Sequence, residues 1–197
     1  MPDYQYDVFL SYRRSGRGNV RNWVHNHFHP MLVDCLADEC ADEPTVFIDT
    51  EVEVGDHWPS RLEHTLSRSR LLVAVWSPQY FRSAWCMAEW RTMTAREECL
   101  GFASVDDPGG LVCPVVFSDG RHFPDEARVR QVRSMKKWGY PRIGFRDAPG
   151  YDDLYDSVRD FAVELGERLE KAPPWTAGWP VERPPPHQLP PTDFPDV

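Results

Sequence analysis

The chain has 197 residues, a formal net charge of −9 and 41% hydrophobic residues, which suits one globular domain with appendages. The charge balance excludes a general nucleic-acid binder, because phosphate contact needs a basic footprint. The longest apolar run, Leu71–Trp76, is too short for a bilayer span of about 20 residues.

The N-terminus is acidic and enters a strand pattern almost at once, with no secretory signal visible, so a soluble, cytoplasmic protein is expected. Cys35, Cys40, Cys86, Cys99 and Cys113 are scattered and odd in number, without a CxxC pair. Reduced, mostly buried thiols are the expected state.

Tyr4–Tyr12 (YQYDVFLSY) carries aromatic and β-branched residues without a helix period and reads as a buried first strand. A glycine-containing loop, residues 13–19, follows it. Asn19 then caps a helix in which Trp23, Phe28, Met31, Leu32, Cys35 and Leu36 share a face. Pro30 lies inside that pattern and should kink or divide the helix. Thr45–Asp49 is a short strand, and the acidic stretch TEVEVGDHW after it is a loop that turns at Gly55.

Ser60–Ser69 is predicted to be helical. Leu71–Ser77 (LLVAVWS) is an unbroken apolar strand of the kind found in parallel sheets covered on both faces. Pro78 stops it, Ser83–Leu100 is a helix, and Leu111–Phe117 is a fourth strand. A helix over Glu126–Lys136 and a weak fifth strand near Trp138–Ile143 are expected next. The last helix bears one apolar stripe running from Tyr151 through Leu154, Val158, Phe161 and Leu165 to Leu169.

Strands alternating with helices imply an α/β fold: a doubly wound, mainly parallel five-stranded sheet with helices on both faces. The domain is expected over residues 1–172. Residues 173–197 are rich in proline and read as a disordered tail or linker, with docking into an aromatic groove as the functional alternative.

Ligands of open α/β sheets bind outside the carboxyl ends of the strands. That rule selects Ser11, Tyr12, Arg13 and Arg14 after the first strand, Asp49–Trp58 after the second, and Ser77–Glu89 after the third. His25, His27 and His29 invite a metal reading, since His25 and His29 are four apart. No Glu makes an H-E-x-x-H motif, so a solvated polar face is preferred and no metal site is expected. Cys86 has no assignable histidine base and reads as a small buried residue.

The segment YDVFLSYRR resembles the first box of TIR (Toll/interleukin-1 receptor) domains. The run from VFID through the acidic glycine loop and LLVAVWS to SAWCMAEW is similar to the second strand, BB loop, third strand and W-C-x-x-E helix of that family. The boxes stand in the family's order between Tyr6 and Trp90, and the pattern continues to about residue 170. The resemblance implies the flavodoxin-like TIR fold.

It also implies one of two activities: adaptor binding to other TIR domains, or cleavage of NAD at the nicotinamide–ribose bond. Glu89, with Trp85 four residues before it and Arg13 and Arg14 after the first strand, favours the NAD-cleaving branch. In that reading Glu89 is catalytic. Ser11, Tyr12, Arg13, Arg14, Asp49 and Trp85 bind substrate, and Val54, Gly55, Asp56, His57 and Trp58 form the BB loop used in assembly. No cofactor is required, NAD being the substrate.

Expected partners are NAD, further copies through TIR–TIR contacts, and an upstream sensor protein or domain, with neither nucleic acid nor membrane. The family implies roles in innate immunity, such as defence against phage or effector signalling. A non-catalytic interaction module is the alternative, and hydrolysis of another nucleotide or nucleoside is a third reading.

The chemistry has a basis independent of the family. The nicotinamide nitrogen of NAD is already cationic, so the leaving group needs no general acid, and one carboxylate can do work that glycosidases divide between two. Guanidinium forks suit a pyrophosphate.

Overall fold

A computed structural model describes residues 3–14, 16–49, 58–102 and 109–184, with the backbone alone for 58–62. Its five strands form one all-parallel sheet in the order β2-β1-β3-β4-β5. These are β1 (Tyr6–Tyr12), β2 (Val46–Ile48), β3 (Ser69–Trp76), β4 (Val112–Val116) and β5 (Arg133–Ser134). The doubly wound α/β architecture expected from the alternating elements is the one observed.

The strands are parallel because each pair is joined by a crossover, and right-handed crossovers place the helices on both faces. Chain order reverses at β1, which has β2 on one side and β3 on the other. The crevice at the carboxyl ends of β1 and β3 is therefore the ligand position that the topology provides. There Ser11 lies beside Ala74 and Tyr12 beside Val75.

β3 forms the middle of the core, with Leu71 through Trp76 fully buried, as its unbroken apolar run requires. On one face α2 (His29–Glu39) packs against α6 (Gly150–Glu170). The first helical segment is divided ahead of Pro30. A short α1 (Val20–Trp23) passes into a π turn over Val24–Phe28 before α2 begins. Proline has no N–H for the bond back to residue 26, and the wider turn absorbs that loss. Asn19 sits at the N-cap without a side-chain capping bond.

α3 (Trp58–Ser67) and α4 (Ala84–Leu100) follow β2 and β3. Ser83 caps α4 by accepting from the Cys86 N–H, and Gly101 closes it at φ 73°, a conformation glycine adopts without strain. The buried residues of α4 are not confined to one stripe: Glu89, Trp90, Thr92, Met93, Arg96 and Glu97 are all nearly inaccessible. Part of its outer surface is covered by residues 173–184.

Residues 173–184 run along α3 and α4. Trp175 Nε1 donates to the Ser67 carbonyl at 3.1 Å, and the Glu182 N–H donates to Thr92 Oγ1 at 2.9 Å. Arg183 pairs with Glu63 at 2.8 Å. The Arg68 guanidinium stands 5.5 Å from the Trp175 ring centroid and that of Arg96 5.0 Å from the Trp179 centroid. This segment was expected to be a free tail. Proline denied it regular structure, but its two tryptophans carry enough apolar surface to dock it. The rest of the expected tail, 185–197, lies outside the described residues.

Two further expectations are corrected. The helix predicted over Glu126–Lys136 is a single turn, α5 (Asp125–Arg128). Val129 and Val132 point to solvent at 86% and 44% exposure, so no apolar stripe sustains it. Arg128 folds back onto the Phe123 and Arg121 carbonyls. The fifth strand lies at Arg133–Ser134, paired with Val115 and Val116. Residues 138–143, where it was predicted, instead link one short 3-10 helix, Lys136–Trp138, to the next, Ile143–Asp147.

Candidate active site

Glu89 projects from the second turn of α4 into the crevice between β1 and β3. It is 6% exposed, and Ser11 Oγ donates to its Oε2 at 2.5 Å. Ser11 has one hydroxyl proton, so Tyr80 OH, 3.0 Å from the same Oγ, is the donor in that contact. A chain Tyr80–Ser11–Glu89 thus orients the carboxylate from the ends of two neighbouring strands.

Burial raises the Glu89 carboxyl from 4.5 to about 6, against the opposing pull of the Arg14 guanidinium and the Ser11 hydrogen bond. Above that pH it is an anion in a poorly solvated place, which suits it to face developing positive charge. Tyr80 is fully buried, and burial holds its phenol well above 10, so it remains a neutral donor.

Arg14 forms an ion pair with Asp49, linking the end of β1 to the end of β2. Tyr12 OH donates to the Asp49 carbonyl at 3.2 Å and shares a 2.7 Å hydrogen bond with His25 Nε2. The Tyr12 phenol is pushed up to about 12, chiefly by burial. Arg13 is half-buried and lines with Arg14 a cavity of about 480 Å³ that opens beside these strand ends. Trp85 is partly buried against the core and lies one turn before Glu89, on the same helix face.

The structure therefore brings together Ser11, Tyr12, Arg14, Asp49 and Glu89, with Arg13 beside them and Trp85 on Glu89's helix. Val54, Gly55, Asp56 and His57 lie outside the described residues. Trp58 is known only as the first residue of α3.

Sequence reasoning missed Tyr80. Its signal is its place four residues after the last residue of β3, at the carboxyl edge where ligands bind. The solvated polar face expected of His25, His27 and His29 is not found: His25 is half-buried and braces Tyr12, His29 is half-buried, and His27 is fully buried among core side chains with Nε2 3.1 Å from the Arg142 carbonyl. Burial pushes the Cys86 thiol up to about 12, with Glu89 adding to the effect, so it is no thiolate nucleophile. Among the described residues no three His, Cys, Asp or Glu side chains converge as metal ligands.

A family model for the TIR domain matches residues 8–138. The chain belongs to the TIR domain family. The match runs from Val8, inside β1, to Trp138 and so takes in β2 through β5 and every site residue named above.

Among solved structures, this TIR domain is similar to one described as the activated Roq1 resistosome directly recognizing the pathogen effector XopQ (TIR domains). Identity is 22%, over 83% of this chain and 84% of that one, with a TM-score of 0.38. Comparison with curated proteins finds no match. No helix among the described residues is long and apolar enough to cross a membrane.

Proposed function

We propose that this TIR domain cleaves NAD at the bond between nicotinamide and ribose, with Glu89 as the catalytic carboxylate. The observation that supports this most is the buried Glu89 carboxylate, oriented by Ser11 and Tyr80 at the topological switch point beside two arginines. A purely structural carboxylate at this position imposes a desolvation cost that a serine–tyrosine pair alone does not need.

NAD enters with its pyrophosphate against Arg13 and Arg14, and with Trp85 against the nicotinamide ribose. As the C1′–N bond breaks, the electron pair leaves with the ring nitrogen, which becomes neutral nicotinamide without protonation. Positive charge moves to the ribose, where ionised Glu89 stabilises it or bonds to C1′. Water then yields ADP-ribose, or an adenine nitrogen or ribose hydroxyl of the same molecule yields a cyclic product. Self-association regulates this activity in cytoplasmic immune signalling, and an upstream sensor triggers it.

The test is nicotinamide release from NAD by concentrated or crowded protein, wild type against Glu89→Ala, both shown to be folded by circular dichroism. Release by wild type alone supports the assignment. Equal release by both removes Glu89 from the chemistry. Silence from both, with retained binding to other TIR domains, assigns the protein to the interaction modules. Faster turnover of another nucleotide or nucleoside redirects the substrate assignment.

A further inference from the structure

Residues 173–184 climb α3 and α4 from the amino edge of the sheet toward its carboxyl edge. Trp175 is held at Ser67, the last residue of α3, and Glu182 at Thr92, midway along α4. Pro184 lines a cavity with Phe81, Arg82 and Ala84, where α4 begins.

Gln79 and Phe81 share the loop between β3 and α4, their Cα atoms less than about 8 Å apart. Gln79 lines the cavity that holds Arg13 and Arg14. Pro184 therefore stands at the rim of the candidate site. A proline-rich chain spans about 3.1 Å per residue, so Asp193 can reach about 28 Å from Pro184 and Asp196 about 37 Å. That is enough to cross the loop.

What lies beyond the loop is basic and aromatic. The first cavity is lined by Arg13, Arg14, Arg17 and Arg21. A second, of about 790 Å³, is lined by Trp138, Tyr140, Phe145, Lys137 and Arg142. Gly18 and Val20 line the first and Asn19 the second, so the two adjoin along this stretch of chain. Neither has a carboxylate among its described lining residues. Arg17, Arg21 and Tyr140 are exposed.

Residues 185–197 (PPHQLPPTDFPDV) carry Asp193, Phe194 and Asp196 and no lysine or arginine. Carboxylates match guanidinium groups, and a proline-flanked phenyl ring matches an aromatic groove. Proline lowers the conformational entropy lost on docking, and the anchor at Pro184 makes the contact intramolecular.

We infer that residues 185–197 of the same chain lie across the two cavities, with Asp193 and Asp196 paired to Arg17 and Arg21 and with Phe194 against Tyr140. The chain thus covers the basic entrance beside Glu89 with its own strap, and displacing the strap opens it. The consequence for Glu89 rests on the cleavage reading given above, whereas the contact itself is tested without turnover.

The experiment is phenylglyoxal modification of the full chain at low salt, followed by peptide mass spectrometry. It compares wild type with Asp193→Asn/Asp196→Asn and with Phe194→Ser. Asp42→Asn/Glu43→Gln, at two exposed residues ahead of β2 on the opposite edge of the sheet, controls for net charge. In the double tail variant Arg17 and Arg21 should react about fivefold faster than in wild type, as expected of two exposed ion pairs. Phe194→Ser should speed them at least about twofold. Arg121, whose side chain is 78% exposed, should react at one rate in all four proteins. High salt should remove the protection, and an about hundredfold change in protein concentration should leave it unaltered.

Unchanged rates at Arg17 and Arg21 in either tail variant overturn the inference, as does an equal acceleration in the control. Protection that grows with protein concentration gives the contact to the strap of a second copy and overturns the same-chain assignment. A protein that releases no nicotinamide leaves the inference standing, and unprotected arginines leave the Glu89 reading untouched.

Discussion

Replacing Glu89 with glutamine should stabilise the protein while abolishing the proposed NAD cleavage. Burial lifts the carboxyl from 4.5 to about 6, so the unfolded chain ionises at lower pH than the folded one. Below 4.5 both states are protonated and the group costs nothing. Between 4.5 and 6 the penalty grows. Above 6 it is constant at about 2 kcal/mol, taking about 1.4 kcal/mol per pH unit.

Glutamine keeps the oxygen that accepts from Ser11 and carries no charge to desolvate. For a domain of this size about 2 kcal/mol corresponds to a rise of about 4–8 °C in Tm. The assay is differential scanning fluorimetry of wild type and variant from pH 4.5 to 8. The Tm difference should be largest at pH 7–8 and shrink toward zero near pH 4.5. A variant less stable at pH 8, or an equal gain at both ends, refutes the claim that Glu89 is held against its desolvation cost.

Other expectations follow from the same geometry. In the proposed mechanism Glu89 acts as the anion, so nicotinamide release should fall as pH drops through about 6, and a pH–rate profile from 5 to 8 measures that limb. Arg14→Gln removes a guanidinium that lowers the Glu89 pKa, so the same limb should move to higher pH. Trp179→Ala takes the ring away from Arg96 and should cost about 1–2 kcal/mol in urea denaturation. Arg183→Ala, at a largely exposed pair with Glu63, should cost less than 1 kcal/mol. Alkylation of the native protein, followed by mass spectrometry, should modify the exposed Cys99 first and leave the buried Cys86 and Cys113 unreacted.

Apolar periodicity carried most of the architecture into the sequence. The Leu71–Ser77 run and the stripe from Tyr151 to Leu169 mark a strand and a helix that the structure places within a few residues. The W-C-x-x-E box and the end of β1 likewise located Glu89, Ser11 and Arg14.

What the sequence concealed depends on contacts between distant segments. Tyr80 matters because it meets Ser11 across 69 residues, and no local spacing reveals that. Arg96 and Glu97 sit mid-helix like solvated charges. Arg96 is fully buried and donates to the Ser69 and Leu66 carbonyls, while Glu97 accepts from the Val112 N–H and pairs with Arg130. β5 is a two-residue strand, too short for any period to show. In residues 173–184 the prolines masked the docking signal carried by Trp175 and Trp179.

The most direct test of the proposed activity is nicotinamide release from NAD at pH 7.5 by wild type and Glu89→Gln, side by side at high protein concentration. Because the variant should be the more stable of the two, unfolding offers no explanation for its silence. Release by wild type with loss of at least about a hundredfold in the variant is expected. Release by the variant within a few-fold of wild type would contradict the central role given to this carboxylate.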